Sequence, residues 1–227
     1  MQFLKLFNYF FFLIRNWNLS VACKLFVEEI RGEKKFHIKT TGYDQLKRLE
    51  KQGVDISHAS IYMPASYRLL EELFSQLDGK SIQHFLDLGC GKGRALCVAA
   101  HYGIKKLTGV ELSKSLVLDA RDNVKRCQQN LPEVEMQIIH QDAFYFEIDE
   151  DVDCIFLFNP FDEFVMEAVH ENIQKSLDKK DRKMTILYLN SLHKNIFLSG
   201  GFEEIYHTEN LIYLQACILC YNPECVK

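Results

Sequence analysis

"DLGCGKG", residues 87–93, follows the apolar run "HFL" and leads into "RALCVAA". A buried strand that enters a glycine-rich turn and then a helix lies where an open α/β sheet binds ligands, at the carboxyl ends of its strands. Glycines let the chain turn sharply and let a ligand touch the main chain. The N–H groups that open the helix then favour a carboxylate or phosphate. Two phosphate-binding patterns fail on spacing alone. A P-loop needs Lys followed by Ser or Thr, and Lys92 is followed by Gly93; the dinucleotide fingerprint needs Gly or Ala three residues after Gly91, and Arg94 stands there.

Outward from that turn the chain alternates. "HFLDLG" reads as a strand and "RALCVAAHYG" as a helix stopped at Gly103. "KKLTGVE" is the next strand, and "SKSLVLDARDNVKRCQQN" a helix opened by Ser113. "VEMQIIHQDA" and "VDCIFLFN" are strands, "EFVMEAVHENIQKSL" a helix and "MTILYLN" a strand. Strands alternating with helices imply a parallel sheet covered on both faces. The ending breaks the rhythm, because "FEEIYHT" and "LIYLQACILCYN" are separated only by "EN", too short for a crossover helix. They predict an antiparallel hairpin at the sheet's edge. The expected class is therefore α/β: a doubly wound, mostly parallel seven-stranded sheet with an antiparallel C-terminal hairpin and a helical N-terminal extension. Residues 1–60 form that extension in this reading and 61–227 the ligand-binding domain. "YMPASYRLLEELFSQL" opens the domain with Pro64 near a helix start and with Leu69, Leu70, Leu73, Phe74 and Leu77 on one apolar face.

With the glycine turn and this order of elements, the chain resembles the class I S-adenosylmethionine-dependent methyltransferases, whose first motif is an acidic residue followed by GxGxG. The likeness spans roughly residues 62–221 and several motifs in order. It implies S-adenosylmethionine as cofactor, held at its amino-acid end by Gly89, Cys90, Gly91 and Gly93 and oriented by Asp87. Glu111, ending the second strand, corresponds to the acid that bonds the ribose hydroxyls, with Leu112 against the adenine. In "QDAF", Asp142 corresponds to the acceptor of the exocyclic amine and Ala143 to the residue beside the ring. Taken singly, Glu111 could cap a helix and Asp142 could serve a turn. Three successive strand ends facing one crevice favour the joint reading.

The fourth strand ends in "FLFNPFDE", residues 156–163. Amino-methylating members of the superfamily carry Asn or Asp, two prolines and an aromatic at that point; this chain has one proline. It is similar to small bacterial methyltransferases with Asn-Pro-Phe there and Tyr-x-Pro upstream, matched by Tyr62 to Pro64, and to non-SET histone-lysine methyltransferases, where the strand ends in Asn-Asn-Phe. This resemblance makes Asn159, Pro160 and Phe161 the catalytic candidates, with amide and carbonyl oxygens to accept from an attacking amine and a ring to lie over a cationic or planar target. Tyr62 is either a gate over cofactor or acceptor or an ordinary aromatic before a helix. Asp162 and Glu163 could take a proton through water, but the start of a helix is the favoured reading. Arg94 either meets a carboxylate of cofactor or acceptor or is an exposed first-turn arginine. His58, His84 and His140 receive no role.

Composition narrows the partners. The 227 residues include 27 basic and 31 acidic side chains, a net charge of −4 that offers no global footprint for duplex nucleic acid. The expected acceptor is a protein amine, lysine favoured; a small molecule or a nucleic-acid base is the rival, and a turnover-dead binding protein of the same fold a second one. The eight cysteines lie in apolar segments without framework spacing, which reads as reduced thiols in a cytoplasmic protein, with no metal site expected even at Cys217, Cys220 and Cys225. "MQFLKLFNYFFFLIRNW" is too short and too interrupted to span a bilayer. Residues 1–18 are instead expected to pack on the domain, on a partner, or on a membrane surface.

Overall fold

The computed structural model of the chain describes residues 7, 9–11, 14–15, 19–42, 63–158, 161–209 and 215–224. Among the described residues, the helices α1 (Leu19–Phe36) and α2 (Tyr67–Ser75) precede the sheet. Then follow β1 (Phe85–Leu88), α3 (Arg94–His101), β2 (Lys106–Glu111), α4 (Lys114–Asn130), β3 (Glu135–His140), a single 3₁₀ turn (Ala143–Tyr145), β4 (Cys154–Phe158) and α5 (Glu163–Lys179). The chain closes with β5 (Met184–Leu189), α6 (Lys194–Ser199), β6 (Glu203–Glu209) and β7 (Gln215–Tyr221). One sheet takes all seven strands in the order β3-β2-β1-β4-β5-β7-β6, and only β7 runs against its neighbours, pairing antiparallel with both β5 and β6. The strand order reverses between β1 and β4, which pair in parallel with Asp87 opposite Phe156. An open α/β sheet leaves its crevice at such a reversal.

Alternation along the strands feeds two cores. Phe85 points into a layer with α2, α3 and α4, where Leu70, Leu73, Phe74 and Leu96 are buried, whereas Leu86 and Leu88 join Met166, Val169, Ile173 and Phe197 on the opposite face. Each such buried aliphatic or aromatic side chain contributes about 1.5–3 kcal/mol relative to exposure. The helices begin on side-chain caps: Ser66 accepts from the Leu69 N–H, Ser113 from Leu116 and Asp162 from Val165.

Two elements go beyond the sequence reading. The charged stretch "VEEIRGEKK" forms the middle of the 18-residue α1, and its glutamates turn inward to partners elsewhere in the chain. A short helix, α6, stands between β5 and β6, where the pattern gave only a connection. The stretch "TTGYDQLKRLEKQG" lies mostly outside the described residues. α1 ends at His37, whose φ of 56° is left-handed, and the Ile38 N–H returns to the Glu33 carbonyl at 3.2 Å. Among the described residues no helix is long and apolar enough to cross a membrane.

Candidate functional site

The loop from β1 to α3 sits at the strand reversal. Gly89 and Cys90 donate their N–H groups to the Val110 carbonyl at 2.9 and 3.0 Å, which fastens the start of the loop to β2. Gly91 and Gly93 have φ of 54° and 77°, conformations that a side chain would strain, and Gly93 is the residue from which α3 starts. The Cys90 side chain is buried, and burial pushes its thiol up, so only its backbone faces the crevice chemically.

Two carboxylates meet there in different states of satisfaction. Glu111 is held from both sides, its Oε2 accepting from the Gly91 N–H at 2.9 Å and its Oε1 from the Ser113 N–H at 2.7 Å. Burial raises its pKa, and these backbone donors oppose the rise. Each carboxylate oxygen keeps a second lone pair for a further donor. Asp87 is 2% exposed and finds no hydrogen-bond donor among the described residues. Burial and the neighbouring Glu111 charge drive its pKa well above the usual carboxylate range. A buried carboxylate without a partner is costly, and a ligand bearing a cation and hydroxyls would satisfy the pair. S-adenosylmethionine carries both, an ammonium and ribose hydroxyls, so these residues fit it.

The third strand end continues the line. Asp142 caps the 3₁₀ turn, accepting from the Phe144 N–H at 2.9 Å, and remains half-buried; Ala143 beside it is buried, and Leu112 is half-buried with its carbonyl accepting from His140 Nε2 at 2.9 Å. The sequence-predicted set Asp87, Gly89, Cys90, Gly91, Gly93, Glu111, Leu112, Asp142 and Ala143 therefore follows three adjacent strand ends. Phe161 is half-buried against the core layer under α5. Asn159, Pro160 and Tyr62 lie outside the described residues.

Arg94 corrects both of its readings. It is 3% exposed rather than a surface arginine, and its guanidinium is spent inside the protein. Nη1 and Nη2 bind the two oxygens of Glu29 at 2.7 and 2.5 Å, Nε donates to Thr40 Oγ1 at 2.7 Å, Nη1 also donates to the Ala65 carbonyl at 2.6 Å, and the plane lies 4.0 Å from the Tyr67 ring centre. Around it, residues 38–42 run as a strap from α1 toward α4. Glu33 Oε1 accepts the N–H groups of Thr40 and Thr41, Asn123 bonds Lys39 and the Lys92 carbonyl, and Lys92 Nζ reaches the Thr41 carbonyl at 3.3 Å. The N-terminal helix is thus tied to the glycine loop itself. Nothing in the sequence separates Glu29 from its neighbour Glu28, or marks Asn123 inside a polar helix, so this linkage carried no readable signal.

Residues 85–180, from β1 to the end of α5, match the family model described as a methyltransferase domain. No curated protein matches the chain in sequence. Among solved structures, the PH0226 protein of Pyrococcus horikoshii OT3 is 18% identical, covering 76% of this chain and 99% of that one with a TM-score of 0.52. Magnesium protoporphyrin IX methyltransferase of Synechocystis PCC 6803, solved with bound S-adenosylmethionine, is 15% identical over 68% of this chain and 79% of its own, at 0.50. The ribosomal protein L11 methylase of Lactobacillus delbrueckii subsp. bulgaricus is 10% identical over 67% and 76%, at 0.52. At these identities the likeness to solved structures is one of fold. Together with the family match it makes this a methyltransferase of α/β architecture. Residues 85–180 are thus a methyltransferase domain, in a fold that holds S-adenosylmethionine in the Synechocystis enzyme.

Proposed function

We propose that the enzyme methylates an amine on a cationic acceptor, with a protein lysine as the leading case. Asp87 receives the cofactor's ammonium, the loop backbone of Gly89, Cys90, Gly91 and Gly93 its amino-acid end, Glu111 its ribose, and Leu112, Asp142 and Ala143 its adenine. When bound, the cofactor supplies a methyl group on a sulfonium sulfur, so the hard chemistry is its own. The protein's task is to aim a nucleophile in line with that methyl and to keep water out. Asn159, through its amide oxygen, and the Pro160 carbonyl accept hydrogen bonds from the amine and fix its lone pair; Phe161 walls the site; Tyr62 closes over it. A lysine amine must first shed the proton it holds up to about pH 10.4. The N–C bond forms as the S–C bond breaks.

The observation that carries the acceptor class is electrostatic. From Cys127 to Gln174 the sequence has no lysine or arginine, while Asp142, Asp162 and Glu163 follow the ends of β3 and β4. An acidic rim draws a cation and repels a polyanion. The parallel pairing of β4 with β1 supports the role of the Asn-Pro-Phe stretch, since it begins one residue beyond Phe158 on the strand next to the glycine loop. The fold also serves a protein acceptor in the L11 methylase.

Tritiated-methyl transfer into a fractionated lysate tests the acceptor: label is expected in protein, on lysine after hydrolysis. Label confined to nucleic acid or to small molecules refutes the reading. Asn159→Ala should lower turnover far more than cofactor affinity, and unchanged turnover would remove Asn159 from the chemistry.

A further inference from the structure

The exposed face of α1 sorts its residues by chemistry. Leu19, Ser20, Cys23, Lys24, Val27, Ile30, Arg31, Lys34 and Lys35 are its exposed positions, so the face is apolar and basic with no carboxylate. The helix has three glutamates, and each is turned toward the protein: Glu28 accepts from Ser66 Oγ and the Arg68 N–H, Glu29 from Arg94, Glu33 from the strap. Lys35 pairs with Glu71; Lys24, Arg31 and Lys34 form no ion pair among the described residues. Leu19, Val27 and Ile30 are 59%, 44% and 46% exposed, and the upstream Phe7 and Phe11 are 50% and 54% exposed with ring centres 4.7 Å apart. Beside this face an open groove of about 620 Å³ runs between α1 and α2, lined by Lys24, Val27, Arg31, Lys35 and Arg68 together with Glu28 and Glu71, whose carboxylates are engaged by Ser66 and the Arg68 N–H and by Lys35.

We infer that this face docks the enzyme on an anionic lipid bilayer, with α1 lying in the plane of the interface. Aliphatic side chains interleaved with cations are what such an interface rewards, apolar groups entering below the headgroups while lysines and arginines meet lipid phosphates. Nucleic acid rewards the cations but gives exposed Leu, Val and Ile nothing to enter. The chain as a whole is acidic at −4, so attraction to a negative surface depends on a local basic face such as this one, which would favour one orientation. Because Glu29, on the inner side of the same helix, holds Arg94 at the start of α3, the docked face and the glycine loop belong to one packed unit.

The test is co-sedimentation of the full chain with vesicles of phosphatidylcholine alone or with roughly one third phosphatidylglycerol, at low and high salt. Binding is expected only with the anionic lipid and should weaken with salt. Lys24→Ala/Arg31→Ala/Lys34→Ala should lower the partition coefficient by about 100-fold, and Val27→Ser/Ile30→Ser should lower it at every salt concentration. S-adenosylhomocysteine binding reports that the variants are folded; were either to misfold, the lipid-composition and salt arms on the wild type decide alone. No partition onto anionic vesicles, equal binding to both compositions, binding untouched by the triple variant, or displacement from vesicles by RNA would each overturn the assignment.

Discussion

Arg94 and Glu29 face each other as a bidentate pair, Nη1 to Oε1 at 2.7 Å and Nη2 to Oε2 at 2.5 Å, both side chains buried. The pair joins the first turn of α3 to the middle of α1 across 65 residues of sequence. Taking two charges out of water is expensive, and the extra bonds from Thr40, Thr41 and Ala65 help offset it. Arg94→Met should therefore destabilise by about 3–5 kcal/mol, because it strands a buried carboxylate. Glu29→Leu combined with Arg94→Met should recover most of that loss. Urea denaturation of the two single variants and the double variant checks it, and additive losses would show that the two side chains are not coupled.

Gly32 sits where α1 crosses α2, and a Cβ there would lie 2.2–2.5 Å from the Tyr67 ring. That ring cannot retreat easily, stacked on Phe36 at 5.7 Å on one side and under Arg94. Helix propensity favours alanine over glycine by about 1 kcal/mol, whereas forcing atoms into a packed interior costs about 1–3 kcal/mol. The clash should win. Gly32→Ala is expected to lower the urea midpoint, and a raised midpoint would mean that the crossing is looser than described.

What could be read in the sequence follows from range. The alternation of strands and helices rests on local periodicity and the final hairpin on a two-residue gap, and both signals act over a few residues. The positions of Asp87, Glu111 and Asp142 at or just beyond strand ends were legible for the same reason, since each strand is defined by its own neighbours. The inward glutamates of α1 were not, because Glu28, Glu29 and Glu33 look like a solvated charge run until Ser66, Arg94 and Thr40 arrive from elsewhere in the chain. Arg94 failed likewise: an arginine after a glycine loop resembles a ligand contact, and only the tertiary partner reveals that its charge is spent. His84 could not be assigned from sequence; it is buried between Asp151 and Thr108, each 2.8 Å away.

Asp87 makes stability and cofactor binding oppose one another. Burial, and then the charge of Glu111, raise its folded pKa above the unfolded value of about 3.9, so in the pH range between the two the folded state binds more protons. Stability from this group is then complete below the unfolded pKa and is lost as pH rises through the folded one. Asp87→Asn should thus be no less stable than wild type at acid pH and increasingly more stable as pH rises toward neutrality, by urea denaturation. Glu111 shifts in the same direction and the two carboxylates repel, so the difference reports Asp87 together with its coupling to Glu111. The same variant should bind S-adenosylhomocysteine roughly 10- to 100-fold more weakly, the loss of a charge-assisted hydrogen bond. A stability gain without an affinity loss would mean that the carboxylate does not meet the cofactor.

Asp162 separates a structural from a chemical use of the acid after the Asn-Pro-Phe stretch. Its side chain accepts from the Val165 N–H at 3.1 Å and caps α5, with Glu163 exposed in the first turn, where negative charge suits the helix dipole. A cap needs an acceptor oxygen but no charge. Asp162→Asn should therefore keep both stability and methyl transfer, whereas Asp162→Ala should cost about 1 kcal/mol of stability with turnover per folded molecule unchanged. A proton acceptor would behave differently, since the amide cannot take a proton at neutral pH and Asp162→Asn would lose turnover without losing stability. Thermal melts and single-turnover methylation of the two variants read the outcomes separately. Loss of turnover in Asp162→Asn would move this residue from the helix cap into the chemistry.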